Sequence, residues 1–151
     1  MVSIMSDTRS GRTPWHYWVV GVIGLLWNSY GPFDYTMTQT GGDAYLRGVG
    51  MTDPQIAYLH AMPVWMTGVW AIGVWAGLLG AILLLARRRL AFPVFVASLA
   101  AFLISLVYSY GLSNGAAVMG DTALIMNGVI LAGCLFLVWY SRMMAARGFL
   151  R

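Results

Sequence analysis

The sequence predicts an all-α fold, an integral membrane four-helix bundle, and three observations lead to this prediction. Of the 151 residues, 60% are hydrophobic and only 9% are charged, whereas about 25% of the residues in a soluble domain are charged. Four apolar runs are each about 20 residues long, which is the length at which a helix crosses a ~30 Å hydrocarbon core. Lipid offers a backbone amide no hydrogen-bond partner, so each run is expected to be helical.

The four predicted helices cover most of the chain. A transmembrane domain is expected over residues 15–141, with a cytoplasmic N-terminal tail over 1–14 and a cytoplasmic C-terminal tail over 142–151. The first run is long and no small-x-small cleavage site follows it, so it is interpreted as a retained helix rather than a signal peptide. The helices are expected at about 15–35, 62–86, 90–112 and 122–141.

The arginines predict the topology of these helices. Eight of the nine fall on one side: Arg9, Arg12, Arg87, Arg88, Arg89, Arg142, Arg147 and Arg151. Only Arg47 falls on the other side, together with most of the aspartates. By the positive-inside rule, we expect two antiparallel hairpins with both termini in the cytoplasm.

The connection between the first two predicted helices is about 25 residues long and contains a second kind of helix. Thr52 or Asp53 is suited to the N-cap and Pro54 to the first turn. Ile56, Tyr58 and Leu59 then supply an apolar side. We expect a short amphipathic helix that lies along the outer membrane surface.

Small residues at four-residue spacing predict where the helices pack. Such rows let two helix backbones approach closely. Internal packing is the favoured interpretation, and an oligomer interface is the alternative. The predicted packing residues are Gly73, Gly77, Gly80, Ala97, Ala101, Ser105, Gly128 and Ala132.

A polar segment interrupts the first apolar run. Pro32 has no amide hydrogen, so the carbonyl of Asn28 loses its helical partner and a kink is expected there. Asn28 lies about 20 Å along the helix from Trp15, past the membrane midplane, and Asp34 lies at about 28 Å, near the outer interface. An acid at that depth can be solvated, so Asp34 has two interpretations, as a helix-end residue or as a ligand- or proton-binding group.

These observations give a candidate ligand-binding set of five residues. Asn127 belongs to it because it is the other polar residue at membrane depth, and it is expected to hydrogen-bond either to Asn28 or to a tyrosine of the third helix. The set is Asn28, Asp34, Tyr35, Gln39 and Asn127.

No catalytic, metal or cofactor site is expected. The two histidines, His16 and His60, are predicted on opposite membrane surfaces, and His60 with Asp53 would make only a weak metal site. The single cysteine, Cys134, lies in an apolar run and forms no disulfide within the chain. The arginines form no single patch with aromatic residues, so nucleic-acid binding is not expected.

The assembled pattern resembles a family of small bacterial four-helix membrane proteins, sometimes labelled "sugar transporter". The resemblance covers most of the chain from Trp15 and implies the same fold, but it implies no established activity. It rests on Leu26-Trp27-Asn28, Gly31, Asp34-Tyr35, Thr38-Gln39, Pro63, Trp65, the stretch Ala71–Gly80, Leu112-Ser113, Gly115 and Arg147-Gly148.

Two functional hypotheses follow. The first is a membrane protein without catalytic machinery, which acts as an accessory or interaction protein through helix packing and its outer loop, alone in the lipid bilayer, as a homo-oligomer or in a larger membrane complex. The second is a small oligomeric transporter, and it predicts that Asn28, Asp34, Tyr35 and Gln39 line one water-accessible cavity.

Overall fold

The computed structural model describes residues 14–150, and within them the chain is helical with no β-strand. Five α-helices and one π-helical turn follow one another along the chain. They are α1 (Trp15–Gly48), α2 (Asp53–His60), α3 (Val64–Leu85), α4 (Ala91–Val107), the π-turn (Tyr108–Leu112) and α5 (Gly115–Ala146).

Helix α1 is 34 residues long and extends well beyond the predicted end at residue 35. The backbone of α1 leaves helical dihedral angles only at Gly42, where φ is 57° and ψ is −143°, and not at Pro32, where the kink was expected. Proline removes a single amide donor from the ladder, and here the helix continues past it. The break falls instead at a glycine, the residue for which a positive φ carries no steric cost.

Helix α5 also starts earlier than predicted. It begins at Gly115 rather than near residue 122, and its backbone breaks at Gly120, where φ is 79°. Both long helices therefore bend at a glycine near the same end of the molecule. We call this end, which also contains α2 and the π-turn, the cap end.

Helix α2 is present in the predicted connection, and the Thr52 amide donates to Gln55 Oε1 over 3.0 Å at its N-terminus. Ile56 and Tyr58 are buried. The Tyr58 hydroxyl lies 2.7 Å from Ser113 Oγ, so the two side chains are hydrogen-bonded. The apolar side of α2 thus packs on the rest of the protein at the cap end.

The opposite end, which we call the arginine end, contains the turn Arg87–Arg89 and holds the hydrophobic core. Tyr17, Leu84, Phe95, Tyr140 and Met144 are buried together there. The Tyr17 hydroxyl donates to the carbonyl of Leu84, which ties α1 to α3.

The C-terminal residues close the core at the arginine end. Leu150 is 1% exposed and belongs to the same cluster. Arg87 Nε donates to the Phe149 carbonyl over 3.0 Å, and Arg89 Nε donates to the Leu150 carbonyl over 3.2 Å. The turn between α3 and α4 and the C-terminal segment therefore hold each other in place.

The helices form a chain of neighbours in which α1 packs against α3, α3 against α4, and α4 against α5. Three helical segments are long and apolar enough to cross a membrane: Val64–Leu85, Ala91–Leu112 and Gly115–Ala146. These features indicate a membrane protein. Helix α1 is not among the three, since Trp, Tyr, Asn and Gly residues interrupt its apolar run.

Candidate functional site

Helix α1 lies close to α3 at the polar segment. A Cβ atom added at Gly31 would lie 2.9 Å from Val74 Cγ1, and one added at Gly77 would lie 2.6 Å from Asn28 Oδ1. The two glycines therefore allow a close approach, in which Val74 packs against Gly31 and Asn28 faces the backbone of α3. The space beside the predicted kink is filled by α3.

The polar side chains in this region bond to backbone carbonyls of the chain. Asn28 Nδ2 donates to the Gly24 carbonyl over 2.8 Å, and Ser29 Oγ donates to the Leu25 carbonyl over 2.6 Å. On α4, Ser98 Oγ donates to the Gly73 carbonyl of α3 over 2.6 Å. Both serine hydroxyl hydrogens are therefore used within the chain, whereas Asn28 Nδ2 has a second amide hydrogen beyond this bond.

A cavity of about 460 Å³ opens beside Asn28, with walls from α1, α3, α4 and α5. Its lining is mostly apolar. The wall includes Leu26, Trp27, Trp70, Ser105, Met126 and Ile130.

Asp34 lies outside this cavity and is bound by a residue of its own helix. The Tyr45 hydroxyl donates to Asp34 Oδ1 over 2.7 Å, across eleven residues of sequence. The break at Gly42 folds the end of α1 back far enough for this contact. The hydrogen bond to Asp34 raises the pKa of Tyr45 to about 12.

The candidate residues are therefore not brought together. Asn28 lines the cavity, whereas Asp34, Tyr35 and Gln39 do not. Tyr35 packs edge-on against Trp70, with ring centroids 4.8 Å apart, and Gln39 is exposed. Of the four residues for which the transporter hypothesis predicts one water-accessible cavity, Asn28 alone lines the 460 Å³ cavity.

Asn127 has one of the two partners expected for it. Its Nδ2 donates to the Tyr110 hydroxyl over 2.9 Å, which joins α5 to the π-turn after α4. The alternative partner, Asn28, lies in the cavity wall, and Asn127 is not part of that wall.

The cap end carries a small network of charged and polar side chains. His60 Nε2 lies 2.6 Å from Asp43 Oδ1, and Arg47 Nε donates to Asp53 Oδ1 over 3.4 Å. His60 thus pairs with Asp43 rather than with Asp53, the partner considered from the sequence. Within residues 14–150, no three His, Cys, Asp or Glu side chains are grouped as metal ligands.

The predicted packing residues separate into two groups. Gly77, Gly80 and Ala101 are buried between helices, and Gly73 faces Ala101. A Cβ atom at Gly80 would lie 2.8 Å from the Phe95 ring. Ser105 lines the cavity.

The other three, Ala97, Gly128 and Ala132, are exposed, and nothing lies within 4 Å of a Cβ atom at Gly128. Internal packing, the interpretation favoured from the sequence, therefore does not apply to these three. Four-residue spacing identifies a helix face but not the direction in which it points.

Three residues with structural roles here were not singled out from the sequence. Ser98 lies one position after Ala97, and a step of one residue rotates a side chain by about 100° around a helix. Trp70 is one of seven tryptophans, and nothing in its sequence position distinguishes it from the others. Tyr45 was expected in a loop, although the adjacent Gly41 and Gly42 signalled a chain reversal there.

Comparison with protein-family models, with curated proteins and with solved structures found no match to this chain.

Proposed function

We propose that this chain is a multi-pass protein of the bacterial inner membrane, with four membrane-spanning helices and no catalytic machinery, that acts by binding another membrane-embedded helix. The fourth spanning segment is the first part of α1. It lies alongside α3 from Trp70 to Leu85, through the contacts Tyr17–Leu84, Gly21–Leu85, Asn28–Gly77, Gly31–Val74 and Tyr35–Trp70. A helix that accompanies most of a spanning helix crosses most of the same thickness of lipid.

The proposed orientation places the arginine end in the cytoplasm. Arg87, Arg88 and Arg89 lie at one end of α3 and α4, and Arg142 and Arg147 lie near the end of α5. Among residues 14–150, the cap end has Arg47 as its only arginine, accompanied by Asp34, Asp43, Asp53 and Asp121. Cytoplasmic excess of arginine is the usual determinant of orientation, so the cap end is proposed to face outwards.

The observation that carries the proposed interaction is the exposed face of α5. Only 6% of its most apolar stretch is buried, compared with 22% for α3 and for α4. Gly128 and Ala132 point away from the bundle on this face, and they are flanked by Leu124, Ile125 and Val129. Two small residues one turn apart allow a second helix to approach closely inside lipid, where close packing drives association.

The resemblance to small bacterial four-helix membrane proteins is consistent with this proposal, because it implies the fold and no activity. The transporter alternative has less support. It requires a shared polar site, and only Asn28 of its four residues lines the cavity.

The test uses two exposed glycines that have nothing within 4 Å of an added Cβ atom, Gly128 on α5 and Gly68 on α3. The full chain is expressed in a bacterial host, extracted in mild detergent, and measured for oligomeric state and co-purifying membrane proteins. We expect a discrete complex that Gly128→Leu disrupts and that the matched control Gly68→Leu leaves intact. A complex equally resistant to both substitutions would contradict the proposed surface.

The same preparation tests the transporter. Reconstituted into liposomes, the chain is expected to give no solute flux above that of empty liposomes. A partner-free oligomer with flux that Asp34→Asn abolishes would overturn the accessory function in favour of transport.

A further inference from the structure

We propose that the cavity beside Asn28 holds one acyl chain of a membrane phospholipid, inserted sideways between α1 and α5. This proposal rests on the proposed membrane arrangement, in which α1 is a spanning helix, but not on the binding surface on α5. It is argued from the chemistry of the cavity wall, from the space of about 460 Å³ that must be filled, and from the position of the opening.

The cavity wall selects an apolar occupant. Its surface is formed mostly by aliphatic and aromatic side chains. One of the two amide hydrogens of Asn28 and the hydroxyl hydrogen of Ser98 are already donated to the carbonyls of Gly24 and Gly73. Polar atoms form only a small part of the wall, whereas a water molecule needs two to four polar partners to occupy a buried site, so most of the cavity favours hydrocarbon over water.

An occupant is required because an empty apolar space of this size is unfavourable. The atoms around a void have no partners on one side and lose their dispersion contacts. At this depth in a membrane, the abundant apolar material is the hydrocarbon of the lipids themselves.

The opening lies between α1 and α5, where lipid is adjacent. Leu26 and Trp27 on α1 are 69% and 44% exposed, and Met126 on α5 is 50% exposed, while all three line the cavity. Towards the arginine end the Trp27 indole lies over Gly133, with Nε1 3.3 Å from an added Cβ atom, and beyond it a second cavity of about 420 Å³ continues between α1 and α5. A chain can therefore enter the first cavity from the side, between these two helices.

The first experiment measures the phospholipid retained by the purified protein. Ser105 lines the cavity, whereas the neighbouring Ile104 does not and is half exposed. Native mass spectrometry of the full chain is expected to find one bound phospholipid in the unsubstituted protein and in the control Ile104→Phe, and its loss in Ser105→Phe. Ser105→Leu fills less of the cavity and is expected to give partial loss of the bound phospholipid. It replaces Ser105→Phe in the experiment if the phenylalanine variant fails to fold.

A second experiment locates the bound chain. Single-tryptophan variants that keep only Trp70, or only Trp75 on the exposed side of the same helix, are reconstituted in vesicles of chain-brominated phosphatidylcholine. Bromine on the chain is expected to quench both indoles, and Ser105→Phe is expected to protect Trp70 but not Trp75. Equal quenching of Trp70 with and without Ser105→Phe would overturn the proposal. Native mass spectra that show a bound quinone, or no bound lipid, would also overturn it.

Discussion

Gly77 is the residue at which the contact between α1 and α3 is tightest around the polar segment. A Cβ atom there would lie 2.6 Å from Asn28 Oδ1 and 3.2 Å from Ser98 Oγ. Both side chains already make hydrogen bonds, so neither can move without losing one. The glycine therefore sets the distance between two helices, as the sequence pattern indicated.

Gly77→Ala is accordingly expected to lower the free energy of unfolding by about 1–3 kcal/mol, the usual effect of overpacking a filled interior. Gly128→Ala makes the same chemical change on an exposed helix face with no neighbour within 4 Å, so it is expected to leave stability unchanged or to raise it by up to about 1 kcal/mol, because alanine has the higher helix propensity. Thermal or denaturant unfolding in mild detergent measures both. Equal destabilisation by the two substitutions would show that the contact with Asn28 and Ser98 is not as tight as described.

Asp34 and Tyr45 form the second contact that is argued at the level of single residues. The pKa of Tyr45 is raised from 10.0 to about 12, chiefly by its hydrogen bond to Asp34. The folded chain thus holds the phenolic proton more tightly than the unfolded chain does. The stabilisation is complete below pH 10 and is lost as the pH rises through about 12.

Asp34→Asn is expected to return the pKa of Tyr45 towards its ordinary value, because it removes the charged acceptor. Titration followed by NMR of ¹³C-labelled tyrosine measures the pKa, with Tyr45→Phe to assign the signal. Asp43→Asn, which changes the partner of His60 instead, is the control and should leave Tyr45 unchanged. A Tyr45 pKa that does not respond to Asp34→Asn would contradict the contact.

Individual residues were the least predictable part of this chain. Asn28 and Gly77 were identified because a polar group and a glycine are conspicuous within apolar helices. The partner of Asp34 was not, because Tyr45 reaches it only through the chain reversal at Gly42, where φ is 57°. Interactions that depend on a single backbone break are not visible in hydrophobic periodicity.

At the scale of helices, the segment after α5 packs against the core, a role that the sequence did not predict for it. It was predicted as a cytoplasmic tail, whereas Leu150 is buried in the core and its carbonyl accepts a hydrogen bond from Arg89. The arginines of this turn therefore have a structural role besides the topological one assigned from the sequence.

Leu150→Ala is expected to lower the free energy of unfolding by about 2–5 kcal/mol, the usual range for truncation of a buried leucine. Leu90→Ala, at a leucine that is 63% exposed beside the same turn, is the control and is expected to have little effect. The readout is the unfolding midpoint in detergent. A Leu150→Ala variant as stable as Leu90→Ala would mean that the segment does not pack against the core.

The locations of the helices were predictable, but their ends were not. Hydrophobicity marks the part of a helix that is apolar, and it places the central portions of α3, α4 and α5 correctly. Helices α1 and α5 continue into polar sequence at the cap end, where hydrogen bonds such as Thr40 Oγ to the Thr36 carbonyl accompany the helical backbone. Nothing in an apolar pattern reports on such extensions.

At the scale of the whole molecule, the two ends differ in construction. The arginine end is closed by a compact core and by the C-terminal segment. The cap end is closed by polar pairs between α1 and α2 and by Tyr58 with Ser113. Between the ends, the cavity separates α1 from α5. The proposed entry of the lipid chain and the exposed face of α5 both lie in this middle part of the molecule.

The membrane-bound helical character of the chain followed from composition alone, because so few charges cannot cover a soluble surface. The cavity did not, since it arises from the relative placement of four helices rather than from any one of them. The orientation rests on the arginine distribution, and the proposed outer cap, partner surface and lipid opening all depend on α1 crossing the membrane as a fourth helix.

The most direct test of the account is therefore the side of the membrane on which each terminus lies. Epitope tags are placed at the N-terminus and at the C-terminus of the full chain, and protease access is compared in intact spheroplasts and in inverted vesicles. The account predicts that both tags are protected in spheroplasts and cleaved in inverted vesicles. An N-terminal tag cleaved in spheroplasts while the C-terminal tag is protected would show that α1 does not span, and it would contradict the four-helix arrangement.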